Sequence, residues 1–563
     1  MKKVFLILTV SLIAFDIADA QVELVDVRDP VYDFLKRMQI MEVIPAYNSS
    51  DLPISRGEIG KYLVKINENM NKLTSTDRKI LKDYEIEFEY DMNRTVNRQK
   101  NIFTKDGVKN FFNNDYQKHL YFHTDSNNTF FGDVFGSLSQ RGSDGDSIGI
   151  NSILLGGFGI KLRGTLFSSA AYYLNLSNGR FANANDSDII FSANTDPVLK
   201  GNRNFVNEKK NFNSFEGYLR YQTRSNWLSL TFGRTQLNNG FGYIDKLFLS
   251  NNTVPFDFGR LDMNYKAVSY SFAYGSLDGD SIGIYPEFSS RELSAKNIAT
   301  HNLNINFSDA FKLGFWESVI ISDQPFSFTY LNPVSFLTSA DLSIGVEQTT
   351  ENNSLIGLDV EIIPVRNFSF QSSLLIDDLT FGTLLKKDSL NENKFGWQLG
   401  AQWSSKQNIN FAIEFTHLDP FVYSHRSNKS TYTNRSMPLG HALPPNSDEI
   451  AGKINFDITN RLRLKLLYQH QRSGEGIILD SSGNIIANYG GNINFGLGDA
   501  YLRTNGFLDG TRINRDIFTA EIFWQPVRQF YFEGKFQYRL TDNISDDLKF
   551  KDSYYFATLR VDL

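Results

Sequence analysis

The chain contains no cysteine. That removes disulfides, thiol nucleophiles, Cys-ligated zinc and iron–sulfur clusters together, and with them lipoprotein anchoring through an acylated cysteine. Long apolar runs are missing as well. After the first 20 residues no stretch reaches the ~18 uninterrupted apolar residues of a spanning helix. With 41% hydrophobic residues and a mean hydropathy of −0.31, a helical membrane bundle is excluded. An excess of one charge is absent too: 57 basic against 63 acidic residues leave a net −6, which names no polyanionic partner such as nucleic acid, so any basic patch must be local. No Pro/Gly/Ser-rich linker divides the 563 residues into the several domains a soluble chain of this length suggests. What is abundant is aromatic: 48 Phe, 26 Tyr and 5 Trp, or 14%, beside 40 Gly. Such a chain is too rich in ordered-core residues for disorder. In bulk it has the composition of a transmembrane β-barrel.

The N-terminus reads as a secretory signal. Met1-Lys2-Lys3 is basic, Val4 to Phe15 is mostly apolar, and Ala18-Asp19-Ala20 fits small-x-small cleavage. Residues 1–20 are therefore expected to be removed on export, and 21–95 to form a small periplasmic helical domain. Asp29-Pro30 is an N-cap followed by Pro at the first helical position; Val31, Phe34, Leu35, Met38 and Met41 follow at helical spacing. Ser55-Arg56-Gly57-Glu58 fits a capping box, with Ile59, Tyr62, Leu63, Ile66 and Met70 on one face. A third helix starts near Thr74–Asp77 and shows Ile80, Leu81, Tyr84 and Phe88. The three amphipathic faces require one shared core.

From about residue 116 the period changes to two. Phe158, Ile160, Leu162 and Leu166 alternate with Gly159, Lys161, Arg163 and Thr165; Leu462, Leu464, Leu466 and Tyr468 alternate with Arg461, Arg463 and Lys465. Strand side chains point to opposite faces, so each run has one apolar and one polar face. A soluble sandwich alternates in the same way, but connection lengths separate the two. Tight turns at 308–310, 364–367, 404–407, 459–460 and 525–529 alternate with long polar loops at 277–298, 322–354, 379–393, 418–449 and 472–514. Sorting short from long connections is the habit of an outer-membrane barrel. Counting back predicts about eighteen antiparallel strands within 96–563, including strands near 116–124 and 129–140, one long strand inside 150–176, and one between 241 and 258 inferred from parity. Both ends then fall on the periplasmic side.

These residues resemble the capsule assembly Wzi family of outer-membrane proteins. Leu52-Pro53-Ile54-Ser55-Arg56-Gly57-Glu58 is similar to that family's helical segment. Gly233-Arg234, Asn239-Gly240-Phe241-Gly242, Leu247-Phe248-Leu249-Ser250 and Pro255-Phe256-Asp257 follow its next block in order. His301-Asn302-Leu303, Glu317, Tyr330-Leu331-Asn332-Pro333, the run Asn353 to Asp359, and Pro438-Leu439-Gly440-His441 before Pro445 to Glu449 continue it. The resemblance implies an eighteen-stranded barrel with a helical periplasmic part, acting as a surface lectin that helps organise capsular polysaccharide. It also implies residence in the outer membrane of a Gram-negative bacterium, contact with lipid, and insertion by the barrel assembly machinery.

Several constellations bear on function. The lumen side carries Lys161, Arg163, Arg461, Arg463, Lys465, Lys535 and Arg539; these either pair with neighbours such as Glu521 and Glu533 or set up a field that attracts an acidic polysaccharide. The long loop 418–449 holds Tyr423, His425, Arg426, Tyr432 and Arg435, rings that could stack on sugars and groups that could pair with carboxylates. The heptapeptide Asp-Gly-Asp-Ser-Ile-Gly-Ile occurs at 144–150 and 278–284. Parity puts the first copy in a periplasmic turn and the second in an outer loop, so turn chemistry is favoured over calcium. The seven histidines show no metal-ligand spacing, and His301 and His441 read as structural hydrogen-bonders. No hydrolase elbow, P-loop or dinucleotide fingerprint appears. A non-catalytic polysaccharide-binding barrel without metal or cofactor is expected; a porin or passive channel, and an outer-membrane hydrolase, remain the alternatives.

Overall fold

The computed structural model describes residues 21–182, 211–278, 295–322, 328–342, 352–378, 393–425, 428–479, 481, 485–495, 502–503 and 506–563. Residues 1–20, expected to be a signal segment, lie outside them. Eighteen strands form one closed antiparallel ring. The first six are β1 (Thr129–Gly145), β2 (Asn151–Leu166), β3 (Ala170–Ala182), β4 (Asn211–Gln222), β5 (Leu228–Thr235) and β6 (Phe256–Tyr265). The next six are β7 (Val268–Asp278), β8 (Ala295–Ser308), β9 (Phe311–Ser322), β10 (Asn353–Val365), β11 (Phe368–Asp378) and β12 (Lys394–Ser404). The last are β13 (Ile409–Leu418), β14 (Ser447–Thr459), β15 (Leu462–Glu475), β16 (Thr511–Val527), β17 (Phe530–Asn543) and β18 (Leu548–Asp562). Strand β18 closes on β1, from Asp552 opposite Gly145 to Asp562 opposite Phe135. The expected alternation holds: Phe158, Phe232 and Leu559 stand out from the wall, 70%, 75% and 55% exposed, as the lipid face of a barrel requires.

The count of eighteen is right through two compensating errors. The 116–124 segment is not a ring strand: Gln117–His119 pairs in parallel with Gln99–Asn101, and Tyr121–Thr124 is a stub on the base of β1. The stretch 150–176 is two strands, because Phe167 and Ser168 take positive φ and turn the chain. The ring strand assigned to 241–258 begins only at Phe256; most of 236–255 folds into the lumen. Starting the ring at β1 also reverses one placement. The 144–150 heptapeptide sits with the long loops at the outer end, where Ser147 N–H donates to Asp552 at 3.0 Å. Most of the second copy lies outside the described residues.

Helices α1 (Val31–Ile40), α2 (Arg56–Glu68), α3 (Ser75–Glu87) and α4 (Glu89–Asn93) share a core that includes Phe34, Leu35, Met38, Ile59, Leu63, Ile80, Leu81 and Phe88. The caps follow the sequence closely. Thr74 and Asp77 make a reciprocal capping box, and the Ser55 side chain accepts from Glu58 N–H. At α1 the helix starts one residue late, with Asp29 Oδ1 accepting Val31 N–H at 2.9 Å. Met70 lies past α2 and is exposed.

This bundle seats on the short-turn end of the ring. Ala46 N–H donates to Asp309 and Asn367 N–H to the Ile40 carbonyl, both at 2.9 Å. Arg37 pairs with buried Asp77 and donates to the Ser405 carbonyl at 2.9 Å. Arg461 and Arg528 converge on Asp83. The chain then enters the lumen, where Asp51 pairs with Arg260 at 2.7 Å and Asp51–Leu52 makes a short antiparallel ladder with Asn238–Asn239.

Candidate functional site

Two outer loops, 236–255 and 419–446, turn into the barrel and give its lumen an apolar core. Leu237, Leu247, Phe248 and Leu249 come from the first, and Val422, Tyr423, Tyr432, Leu439 and Leu443 from the second. They pack against wall residues Phe258, Ala273, Ile298, Trp316, Ile320, Leu355 and Leu375. Phe248 stacks on Trp316 with ring centroids 4.5 Å apart and planes 4° from parallel. Gly357 is required beside that ring, since a Cβ there would stand 1.9 Å from Trp316. The loops are also tied to each other. Tyr423 OH donates to the Leu247 carbonyl at 2.7 Å, and Ser250 N–H to the Leu439 carbonyl at 2.7 Å. Burial holds the Tyr423 and Tyr432 phenols above their ordinary range.

Polar groups inside this plug are mostly paired. Lys246 donates to the Ser49 and Asn238 carbonyls at 3.2 and 3.1 Å, and burial pushes its pKa down to about 7. Asp245 accepts from Ala442 N–H and Asn252 at 2.8 Å each. His441 Nδ1 accepts Leu443 N–H at 3.0 Å, the structural role expected of it. Outside the plug, on the wall strands, His301 pairs with Glu317 at 3.0 Å. Among the described residues no group of three or more His, Cys, Asp or Glu is placed to hold a metal ion.

The residues read from loop 418–449 do not share one surface. Tyr423 and Tyr432 are fully buried and stack on each other at 5.5 Å, which corrects the expectation that their rings are offered to solvent. The loop is long enough to fold inward, and its aromatics then serve as core. His425 is half-buried, Arg426 lies outside the described residues, and Arg435 pairs with Asp278 at 2.5 Å.

The basic lumen residues do face inward, and most are occupied. Arg461 pairs with Asp83 at 2.9 Å, Arg463 with Asp457 at 2.6 Å and Asp33 at 3.8 Å, and Lys465 with Asp33 at 3.9 Å. Lys535 pairs with Glu521 at 3.4 Å. Arg539 donates to Tyr554 OH at 2.8 Å, and Arg163 lies 4.2 Å over the Phe131 ring. Lys161 is half-buried on the same side. Where Asp33 and Asp83 are the partners, this charge fixes the helical bundle.

Sequence reasoning missed the plug. Its one legible signal is the apolar tetrad Leu247, Phe248, Leu249 and Val254 inside a segment too irregular for a strand. Trp316 was equally hidden: on a barrel strand it looks like any wall aromatic, yet it points into the lumen.

Comparison with known proteins agrees with this architecture. Wzi of Escherichia coli, an outer-membrane protein involved in group 1 capsule assembly and a carbohydrate-binding β-barrel, superposes with a TM-score of 0.54 at 13% identity, over 96% of this chain and 99% of that one. OprD of Pseudomonas aeruginosa gives 0.42 at 8% identity over 77% and 95% of the two chains. OccAB1 of Acinetobacter baumannii gives 0.43 at 9% over 77% and 97%. No curated protein matches the chain. The capsule assembly protein Wzi family matches residues 87–496, well over half of the length, and the chain belongs to that family.

Proposed function

We propose that this protein is exported by its N-terminal signal to the outer membrane, with its helices on the periplasmic side, and there binds surface or capsular polysaccharide without chemical conversion, in support of capsule assembly. The observation that carries the reading is the packed lumen. A core built from two inturned loops and the strand wall, above a helical bundle seated at the other end, suits a binding platform better than a solute channel. Insertion by the barrel assembly machinery and a lipid surround follow from the same placement.

Recognition then falls to the outer ends of the loops. His425, Arg426 and Arg435 are the members of loop 418–449 suited to pair with glycan carboxylates, while Tyr423 and Tyr432 hold the loop behind them. The inward basic face from Lys161 to Arg539 serves chiefly to anchor and stiffen the barrel. The triple variant His425→Ala, Arg426→Ala, Arg435→Ala should retain less acidic polysaccharide in a pull-down and keep its heat-modifiable mobility. Binding by the intact chain should weaken with added salt, because exposed charge contacts are screened beyond ~8–10 Å at physiological ionic strength. Undiminished binding by the triple variant would move the site elsewhere on the outer face. Failure of the intact protein to bind any polysaccharide, with measurable conductance, would overturn the reading in favour of a channel.

A further inference from the structure

The segment 328–342, from the outer connection between β9 and β10, does not join the plug. It lies on the outside of the wall. Along β9 the even residues face the lumen, as Trp316 on Phe248 and Lys312 at the Tyr47 carbonyl show, so Glu317, Val319 and Ile321 face outward. There Tyr330 and Leu337 bury Ala299, Val319 and Ile321, Phe336 stacks on Phe315 at 6.2 Å, and Tyr270 OH donates to the Pro333 carbonyl. Beneath lies a polar pair that a lipid-facing wall should not carry: Glu317, 1% exposed, and His301, 7% exposed, in contact at 3.0 Å. Glu317 stands six residues up β9. At ~3.3 Å per residue and ~40° tilt that is roughly 15 Å above the periplasmic edge, inside an apolar band ~25 Å tall.

We infer that residues 328–342 form a flap embedded in the bilayer, which covers the His301–Glu317 pair and rests its own outer surface on lipid acyl chains. Three observations support acyl chains as the occupant. The flap's most exposed large side chains are apolar, Phe328 81%, Val334 86% and Phe336 43% exposed, and among the described side chains the only polar residues exposed beside them are the uncharged Asn332 and Ser339. Its irregular backbone is hydrogen-bonded within the protein, as non-helical chain at membrane depth must be. Val334 N–H donates to Asn332 Oδ1 at 3.1 Å, Ser335 N–H to the Asn332 carbonyl at 3.3 Å, and Leu337 N–H to Glu317 Oε1 at 2.8 Å. Glu317 is thus the acceptor that ties the flap to the wall. The surface also continues the lipid face. From Leu331 at the flap's edge an apolar groove of about 800 Å³ runs across the wall past Tyr274, Gly259, Phe232 and Leu219, which are register partners on successive strands.

The absence of cysteine makes the test direct. Single variants Val334→Cys and Phe328→Cys in the full chain, each carrying a nitroxide, are reconstituted in vesicles of phosphatidylethanolamine and phosphatidylglycerol. Phe232→Cys on the bare wall and Ile544→Cys at an outer hairpin tip give the membrane and water references. Both flap labels should match position 232, with high collision rates with oxygen and a several-fold lower accessibility to a water-soluble nickel chelate than at 544. Either flap label reading like 544 in protein of normal heat-modifiable mobility overturns the inference. Both substituted side chains are mostly exposed, so folding should survive; if one variant fails to insert, the other decides.

Discussion

Removing the Phe248 ring should open the plug and leave the barrel standing. Phe248 is 1% exposed and stacked flat on Trp316, and it belongs to a loop, not to the ring of strands. Phe248→Ala should cost about 3–5 kcal/mol, of which face-to-face ring contact supplies about 0.5–1.5. Because the strand ladders are untouched, that loss falls on the local opening of 236–255. At about 1.4 kcal/mol per factor of ten, the opening constant should rise by roughly two to three and a half orders of magnitude. Amide exchange reads this directly. Gly240 N–H donates to the Ser50 carbonyl at 2.8 Å, a bond that exists only while the loop is seated, and Leu249 N–H, which donates to the Asn239 carbonyl at 3.2 Å within the loop, is sheltered by the loop's burial. Exchange at 240 and 249 should accelerate by that factor while amides of β9 and β10 stay protected, and planar-bilayer recordings should show openings that the intact protein lacks. Unchanged exchange at both positions, in a variant of normal heat-modifiable mobility, would refute the claim that this stack holds the plug.

Three further outcomes follow from the same geometry. Leu466→Arg, on the lipid face, should lose ~2–4 kcal/mol in urea unfolding from vesicles, whereas Lys535→Gln, which breaks a half-exposed lumen pair with Glu521, should lose less than ~1 kcal/mol. Asp77→Ala strands the buried Arg37 guanidinium and should cost about 3–5 kcal/mol, seen as protease clipping between 31 and 93 with the strands intact; adding Arg37→Met should recover part of it. Burial lowers Lys246 to about 7, so between that value and its unfolded pKa near ~10.4 the unfolded chain binds more protons. Plug stability should therefore rise as pH climbs from about 7 to 10, and Lys246→Met should abolish the slope in exchange at Leu249.

What could be read from the sequence is what period and length encode. Alternation along Leu462 to Tyr468 and the sorting of short from long connections suffice for a barrel with its lipid face, because lipid on one side imposes a strict two-residue rule. Helix caps at Ser55 and Thr74 are local chemistry and were equally visible. The plug was not, since Phe248 and Tyr423 are buried by partners far away in sequence, and nothing local distinguishes an aromatic folded inward from one held out to a ligand. The same ambiguity made Tyr423 and Tyr432 look like a sugar-stacking surface. The ring's start was misplaced for a related reason: Tyr121–Thr124 alternates like a strand, but only its pairing shows that it ends as a stub.

The two ends of the lumen are closed by different forces, and the difference bears on where recognition can sit. At the helical end the contacts are directional: Lys36 and Lys312 both meet Glu361, Arg461 and Arg528 both meet Asp83, and Arg260 meets Asp51. Such pairs fix register, and moving one member strands a buried charge, so this end is poorly suited to yield to a ligand. At the outer end the closure is largely apolar and non-directional, built from Phe248, Tyr423, Tyr432 and Leu439. It holds two loops by their inward apolar faces. A loop pinned in this way presents its outward groups at low entropic cost on binding. On the proposed reading the buried tyrosines act through rigidity: Tyr432→Ala should weaken polysaccharide binding and accelerate amide exchange across 428–441 together. If exchange rose while binding held, preorganisation would not be what the tyrosine pair supplies.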